Sequence, residues 1–162
     1  MNIRSVGITF STVLMAAALL AGCYKQPAQR AGDPATPAAI QPGISVGPLH
    51  SGMTIRQATA MLGQPDWTND VELVYTNLGI HVLPGNGDSV HIVGVCAPFA
   101  GRTKEGLGIG DRRATVIQVY GQPTGAMPLK PGYDVIKYKS LGLNFEFYDN
   151  KVNMIATVFS GQ

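Results

Sequence analysis

The chain has 162 residues, with 12 Lys+Arg against 10 Asp+Glu and only 14% of its residues charged. That length holds one ordinary domain or two very small ones and excludes a large multidomain enzyme. The basic residues are dispersed along the chain, so the electrostatic footprint of a nucleic-acid binder is absent. A supply of 20 Gly and 11 Pro beside 5 Phe, 6 Tyr and 1 Trp favours short strands joined by many turns.

At the N-terminus, Arg4 precedes an uncharged, mostly apolar run over residues 6–20, and Leu20-Ala21-Gly22-Cys23 follows. This arrangement resembles a bacterial lipoprotein signal. The resemblance implies diacylation of the Cys23 thiol, cleavage before Cys23 and acylation of the freed amine, so residues 1–22 are expected to be a signal peptide. Several acyl chains on one residue hold a protein stably to a bilayer. In Gram-negative lipoproteins an Asp after the lipidated cysteine commonly directs inner-membrane retention. Tyr24 stands there, which points to the outer membrane, facing the periplasm. The alternative is an uncleaved span over residues 5–24, about the 20 residues a membrane needs. Gly7, Thr9, Ser11 and Thr12 dilute it, and a plain span gives no reason for the small residues before a cysteine.

Residues 23–47 interleave Pro27, Pro34, Pro37 and Pro42 with alanines and show no hydrophobic period. They read as a semi-extended tether, of which residues 40–46 are the part expected to pack on the domain if any does.

The remainder repeats itself. Gly52 with Gly63-Gln64-Pro65 is matched at the same spacing by Gly110 with Gly121-Gln122-Pro123. Tyr75-Thr76-Asn77-Leu78-Gly79-Ile80 is similar to Tyr138-Lys139-Ser140-Leu141-Gly142-Leu143. Residues 48–105 and 106–162 are therefore read as two copies of one unit. In the first, residues 54–62 carry Ile55, Ala58, Met61 and Leu62 at helical spacing with Thr54 as N-cap; in the second, residues 111–120 follow with Asp111 as cap. Gly63 and Gly121 suit helix C-termini, and the Pro two positions later prevents continuation. Strands are expected at 71–76, 79–83 and 90–96, and again at 134–138, 142–148 and 151–159, with Asp149-Asn150 as a two-residue turn. Alternation would place Phe145, Phe147, Val152, Met154, Ala156 and Val158 on one core face. The fold class expected is α+β: two tandem repeats, each a short helix on a three-stranded antiparallel meander.

The helix closed by Gly-x-Pro, the Tyr-containing strand, the Gly-Ile or Gly-Leu strand and the strand opening on Val together resemble the SmpA/OmlA repeat of BamE-type outer-membrane lipoproteins. Gly52-Met53-Thr54 matches the opening of such repeats, whereas Gly110-Asp111-Arg112 departs from it. The tandem form is similar to the beta-lactamase-inhibitor-protein architecture. The resemblance covers roughly residues 49–159 and implies a non-enzymatic envelope protein engaged in outer-membrane assembly or envelope integrity.

Several side chains are of types that can carry chemistry. A Gly-rich hairpin turning near Asn86 would bring His81 and His91 together across two strands, yet two imidazoles without a third ligand make an incomplete metal shell. Their repeat counterparts are Asn144 and Asn153, so the face reads as polar; no metal and no cofactor beyond the Cys23 lipid is expected. Cys96 aligns with Val158 and reads as a small buried apolar residue with no activating base nearby. His50 reads as a surface loop residue, the glycines at 106–110 as a connector, and Asp66, Asp70 and Glu72 as a solvated loop. Residues 47–105 contain 3 Lys+Arg and 5 Asp+Glu, residues 106–162 contain 6 and 4, a mild opposition that salt screens. Trp67, Tyr75, His81 and His91 are the candidate partner-binding residues. The expected function is a lipid-anchored, non-catalytic module that binds an envelope protein. The alternatives are an inhibitor of an exported hydrolase, or a metal-binding or enzymatic protein using His81 and His91.

Overall fold

A computed structural model describes residues 40–159. The expected signal peptide, Cys23 and the tether as far as residue 39 lie outside the described residues, as do residues 160–162.

From its first described residue the chain is folded. Strands β1 (Ile40–Gln41), β2 (Ser45–Val46) and β3 (Leu49–His50) form a small antiparallel sheet. Ile40, Val46 and Leu49 are fully buried, so the end of the Pro-rich segment, residues 40–47, belongs to the globular core. Gly43 is fastened there by donating its N–H to Thr157 Oγ1 at 2.9 Å.

The expectation of two helix-on-meander repeats is wrong. The described residues are mostly β: one continuous eight-stranded antiparallel sheet accompanies the small sheet, with two α-helices of eight residues each among the described residues. In chain order the strands are β4 (Trp67–Thr68), β5 (Leu73–Tyr75), β6 (Ile80–Pro84), β7 (Val90–Cys96), β8 (Gly125–Lys130), β9 (Tyr133–Tyr138), β10 (Leu143–Tyr148) and β11 (Lys151–Val158). Their spatial order is β4-β5-β6-β7-β11-β10-β9-β8. Two causes produce the difference. Residues read as loops, Trp67–Thr68 and Gly125–Lys130, extend the sheet at both edges, and β7 pairs with β11 from Met154↔Cys96 to Val158↔Ile92. Pairing along that seam satisfies backbone donors and acceptors that two separate meanders would leave open at an edge.

Helices α1 (Ile55–Leu62) and α2 (Arg113–Tyr120) begin differently. Thr54 accepts from the Gln57 N–H while the Gln57 side chain accepts from the Thr54 N–H, a reciprocal capping box. Asp111 does not cap α2. Its carboxylate instead accepts from the Gly108 N–H at 2.8 Å and from Arg102 at 3.0 Å, and Arg112 occupies the cap position without a side-chain bond. That fastening holds the 106–110 connector, where Leu107 is buried. Both helices stop at the expected glycines, whose φ values are 88° at Gly63 and 77° at Gly121.

One face of the large sheet is the core. A row of buried side chains crosses six strands: Tyr75, Ile80, Val95, Ile155, Phe145 and Ile136. Both helices cover this face. Thr59 of α1 lies 3.5 Å from the Tyr75 hydroxyl, and the Tyr120 ring of α2 stands 5.4 Å from Tyr138 and 5.7 Å from Phe145.

The predicted inward row of β11 needs correcting beyond Val152. The register with β10 shifts between Glu146 and Phe147, so that Asn153 is an unpaired extra residue. A one-residue bulge exchanges the two faces of a strand. Beyond it Ile155 and Thr157 are buried, while Met154, Ala156 and Val158 turn to the opposite side and are only partly covered. The β6–β7 hairpin has the same device: Leu83 pairs with Ile92 and Pro84 with Val90, leaving His91 as the extra residue.

Candidate functional site

The second face of the large sheet carries no helix among the described residues. Register places Trp67, Val74, His81, Gly94, Ala156, Asn144, Lys137 and Gly125 in one row across all eight strands. Apart from Gly94 every one is partly or fully exposed. On the same face Cys96, Met154, Glu146, Val135 and Met127 form a neighbouring row. Trp67 is 50% exposed and Met127 43%. These are the large apolar contributions at the two ends of the face.

Near the β6–β7 pair the face holds a cluster of Glu72, His81 and Cys96. The alternation of β5 puts Glu72, just before that strand, on the same side as Val74, diagonal to His81. Cys96 lies on the other diagonal, two residues beyond Gly94. Glu72 Oε2 is 3.1 Å from His81 Nδ1, and His81 Nε2 is 3.7 Å from Cys96 Sγ. A carboxylate only accepts, so Nδ1 carries a hydrogen, and in the neutral imidazole the lone pair of Nε2 faces the thiol. Gly94 lies between His81 and Met154: a Cβ there would stand 3.2 Å from Met154 Sδ and 3.6 Å from His81 Cβ.

Partial burial pushes the Cys96 thiol above its ordinary value of 9.0, and the negative charge of Glu146 adds to this. Glu146 is itself held by Asn153, whose Nδ2 donates to Oε1 at 2.8 Å. Cys96 is thus a protonated thiol at rest. The reading of Cys96 as a buried core residue without a neighbouring base is therefore corrected: it is partly exposed and His81 stands next to it. Its sequence counterpart Val158 is likewise on the open face, because each strand carries a bulge before it, at His91 in β7 and at Asn153 in β11.

The structure distributes the other candidates unevenly. Trp67 is on the open face at the sheet edge. Tyr75 is buried on the core face, with its hydroxyl near Thr59, and offers no surface. His81 and His91 are not brought together. His81 pairs with Gly94, three residues from His91 in β7, a separation along the strand of about 10 Å. His50 is exposed, 2.9 Å from the Ser51 carbonyl. Asp66 does not join Glu72, since its carboxylate accepts the Thr76 N–H at 2.7 Å.

A metal does not account for the constellation. The two nitrogens of one imidazole point in opposite directions, so Glu72 and Cys96 bound to opposite ring edges cannot share an ion with it. Among the described residues no group of three or more His, Cys, Asp or Glu has the arrangement of a metal site. The spacing of Glu72, His81 and Cys96 was present in the sequence. The signal that would have joined them is the parity of alternation combined with the β6–β7 register. Comparison with known proteins finds no matching family model, no matching curated protein and no matching solved structure.

Proposed function

We propose that the chain is a lipid-anchored cell-envelope protein, held at the outer membrane through Cys23, that binds another envelope protein with the open face of its large sheet. The observation that carries the reading is that both helices cover one face while the other presents Trp67 and Met127 half-exposed at opposite ends of an extended surface. Aromatic and methionine side chains presented in this way are characteristic anchors of protein interfaces. The lipoprotein pattern ending in Cys23 supports the location, and the resemblance to SmpA/OmlA repeats supports a role in envelope assembly or integrity. Anchoring raises the local concentration of the module near its partner, so a modest interface suffices.

The test places a photo-crosslinking amino acid at position 67 or 127 in cells, with position 61 as a control because Met61 is exposed on α1, on the opposite side of the sheet. The expected result is the same envelope protein captured from 67 and 127 and not from 61. Trp67→Ala is expected to weaken that complex by at least about 10-fold, roughly 1.4 kcal/mol or more, with the circular dichroism unchanged. Capture from all three positions alike, or from neither face position, overturns the reading. A hydrolase recovered as the partner would identify the module as an inhibitor.

A further inference from the structure

We propose that Cys96, His81 and Glu72 form a thiol–disulfide exchange site, at which Cys96 takes up one half of a small aliphatic disulfide. The required parts are a nucleophile, a base within reach and a third group that orients the base. Here they are the Cys96 thiol, His81 Nε2 at 3.7 Å and Glu72 at 3.1 Å from Nδ1.

The reaction class follows from what the backbone at Cys96 is already doing. Acyl transfer through a cysteine needs N–H donors to hold the oxyanion, most simply the nucleophile's own. The Cys96 N–H is spent on the Gly79 carbonyl at 2.9 Å, and the Phe99 N–H on the Cys96 carbonyl at 2.8 Å. Attack on a disulfide sulfur develops no oxyanion and needs none of these donors.

In the step, the Sγ–H bond breaks and the proton moves to His81 Nε2 while Sγ forms a bond to one sulfur of the disulfide RS–SR. The other sulfur leaves as a thiolate and recovers the proton from the imidazolium. One disulfide and one thiol give one mixed disulfide and one thiol, so the incoming disulfide is the oxidant and no further reagent is required. The chain has 2 cysteines, and Cys96 has no cysteine neighbour among the described residues. The product is a stoichiometric cap on the open face rather than an intermediate in turnover. Because Cys96 lies on the surface proposed to bind a partner, capping would place a bulky polar group there, a consequence that rests on that reading; the exchange chemistry does not.

The titratable groups around Sγ are His81 on β6, against it, and Glu146 on β10, with Glu72 on the far edge of the His81 ring and Lys137 of β9 in the adjoining row. Glu146 opposes formation of the thiolate and His81 relieves that opposition only during attack.

The experiment uses the full chain with Cys23→Ser, so that Cys96 is the sole thiol, and follows adduct formation with glutathione disulfide by intact mass from pH 6 to pH 11. His81→Gln is expected to slow the reaction at least 10-fold at pH 7, with the gap closing well above pH 9, where the thiol ionises without help. Glu72→Gln is expected to slow it several-fold, and Glu146→Gln to accelerate it several-fold. Each variant is checked by near-ultraviolet circular dichroism, and Cys96→Ser fixes the background. Equal rates for the parent and a folded His81→Gln at every pH overturn the assignment, as does steady turnover of an activated ester by the parent. Should His81→Gln fail to fold, His81→Asn and the opposite responses expected of Glu72→Gln and Glu146→Gln decide the question.

Discussion

Two residues show how local chemistry carries over into stability. The Tyr120 hydroxyl donates to Glu105 Oε2 at 2.5 Å. Burial, and then this bond, push the Tyr120 phenol well above its ordinary value of 10.0, while the same bond holds Glu105 below 4.5. A raised phenol keeps its proton in the folded state after the unfolded chain has released it, so that contribution is complete below pH 10 and is lost as pH rises further. A lowered carboxyl contributes fully above pH 4.5 and is lost as pH falls through its folded value. Tyr120→Phe is therefore expected to cost about 1 kcal/mol near neutrality and to flatten both limbs of Tm against pH, measured by scanning calorimetry. A second case is Gly142, at φ 62°, where a Cβ would lie 2.6 Å from the Val158 carbonyl oxygen. Gly142→Ala combines left-handed strain with a backbone collision and should destabilise by about 2–4 kcal/mol in chemical denaturation. The repeated Leu-Gly pair was visible in the sequence. Its reason, a close approach to the strand end, required the neighbouring strand.

At the scale of elements, the start of α1, both helix ends and the β10–β11 turn were legible because they depend on residues close in the chain, whereas the cap expected at Asp111 of α2 is displaced to Arg112. Thr54 caps α1, Gly63 and Gly121 end the helices, and Asp149-Asn150 turns β10 into β11 with φ of 47° and 60°. Thr54→Ala should cost about 1 kcal/mol, while Asp111→Ala should act through the Gly108 connector rather than through α2. The check is hydrogen exchange, with loss of protection in α1 for the first variant and around residues 106–110 for the second. The edge strands were not legible. β4 has two residues, and β8 contains Pro128, which cannot donate to a ladder. Trp and Thr favour strands, but two residues are too few to show alternation, and β8, Gly-Ala-Met-Pro-Leu-Lys, lacks strand formers; each is a strand because its neighbour presents an unpaired edge. The bulges at His91 and Asn153 were equally hidden. An alternating pattern continues through a bulge in sequence, and only pairing with the adjacent strand shows that the faces have exchanged.

For the molecule as a whole, the seam between β7 and β11 decides behaviour. Buried residues from both halves and from the small sheet, among them Ile40, Val82, Val116 and Phe147, belong to a single hydrophobic cluster. Residues 40–159 should therefore unfold in one cooperative calorimetric transition, and residues 48–105 produced alone should lack the near-ultraviolet signal of a packed Tyr75, the one tyrosine of that fragment. Two separate transitions would show that the seam is not cooperative. The short β4 and the Pro128-bearing β8 also leave little edge for another chain to extend.

By itself the sequence determined the placement of its turns, helix ends and most strands, since glycine, proline, asparagine and capping side chains act over one to four residues. The resemblance of residues 1–23 to a lipoprotein signal, on which the proposed anchoring rests, is likewise a linear feature of the sequence. The tertiary structure decided that the halves share one sheet, which face each strand presents after its bulge, and that Glu72, His81 and Cys96 meet. Those outcomes arise from hydrogen-bond register between strands distant in the chain, where a shift of one residue reverses every side chain that follows.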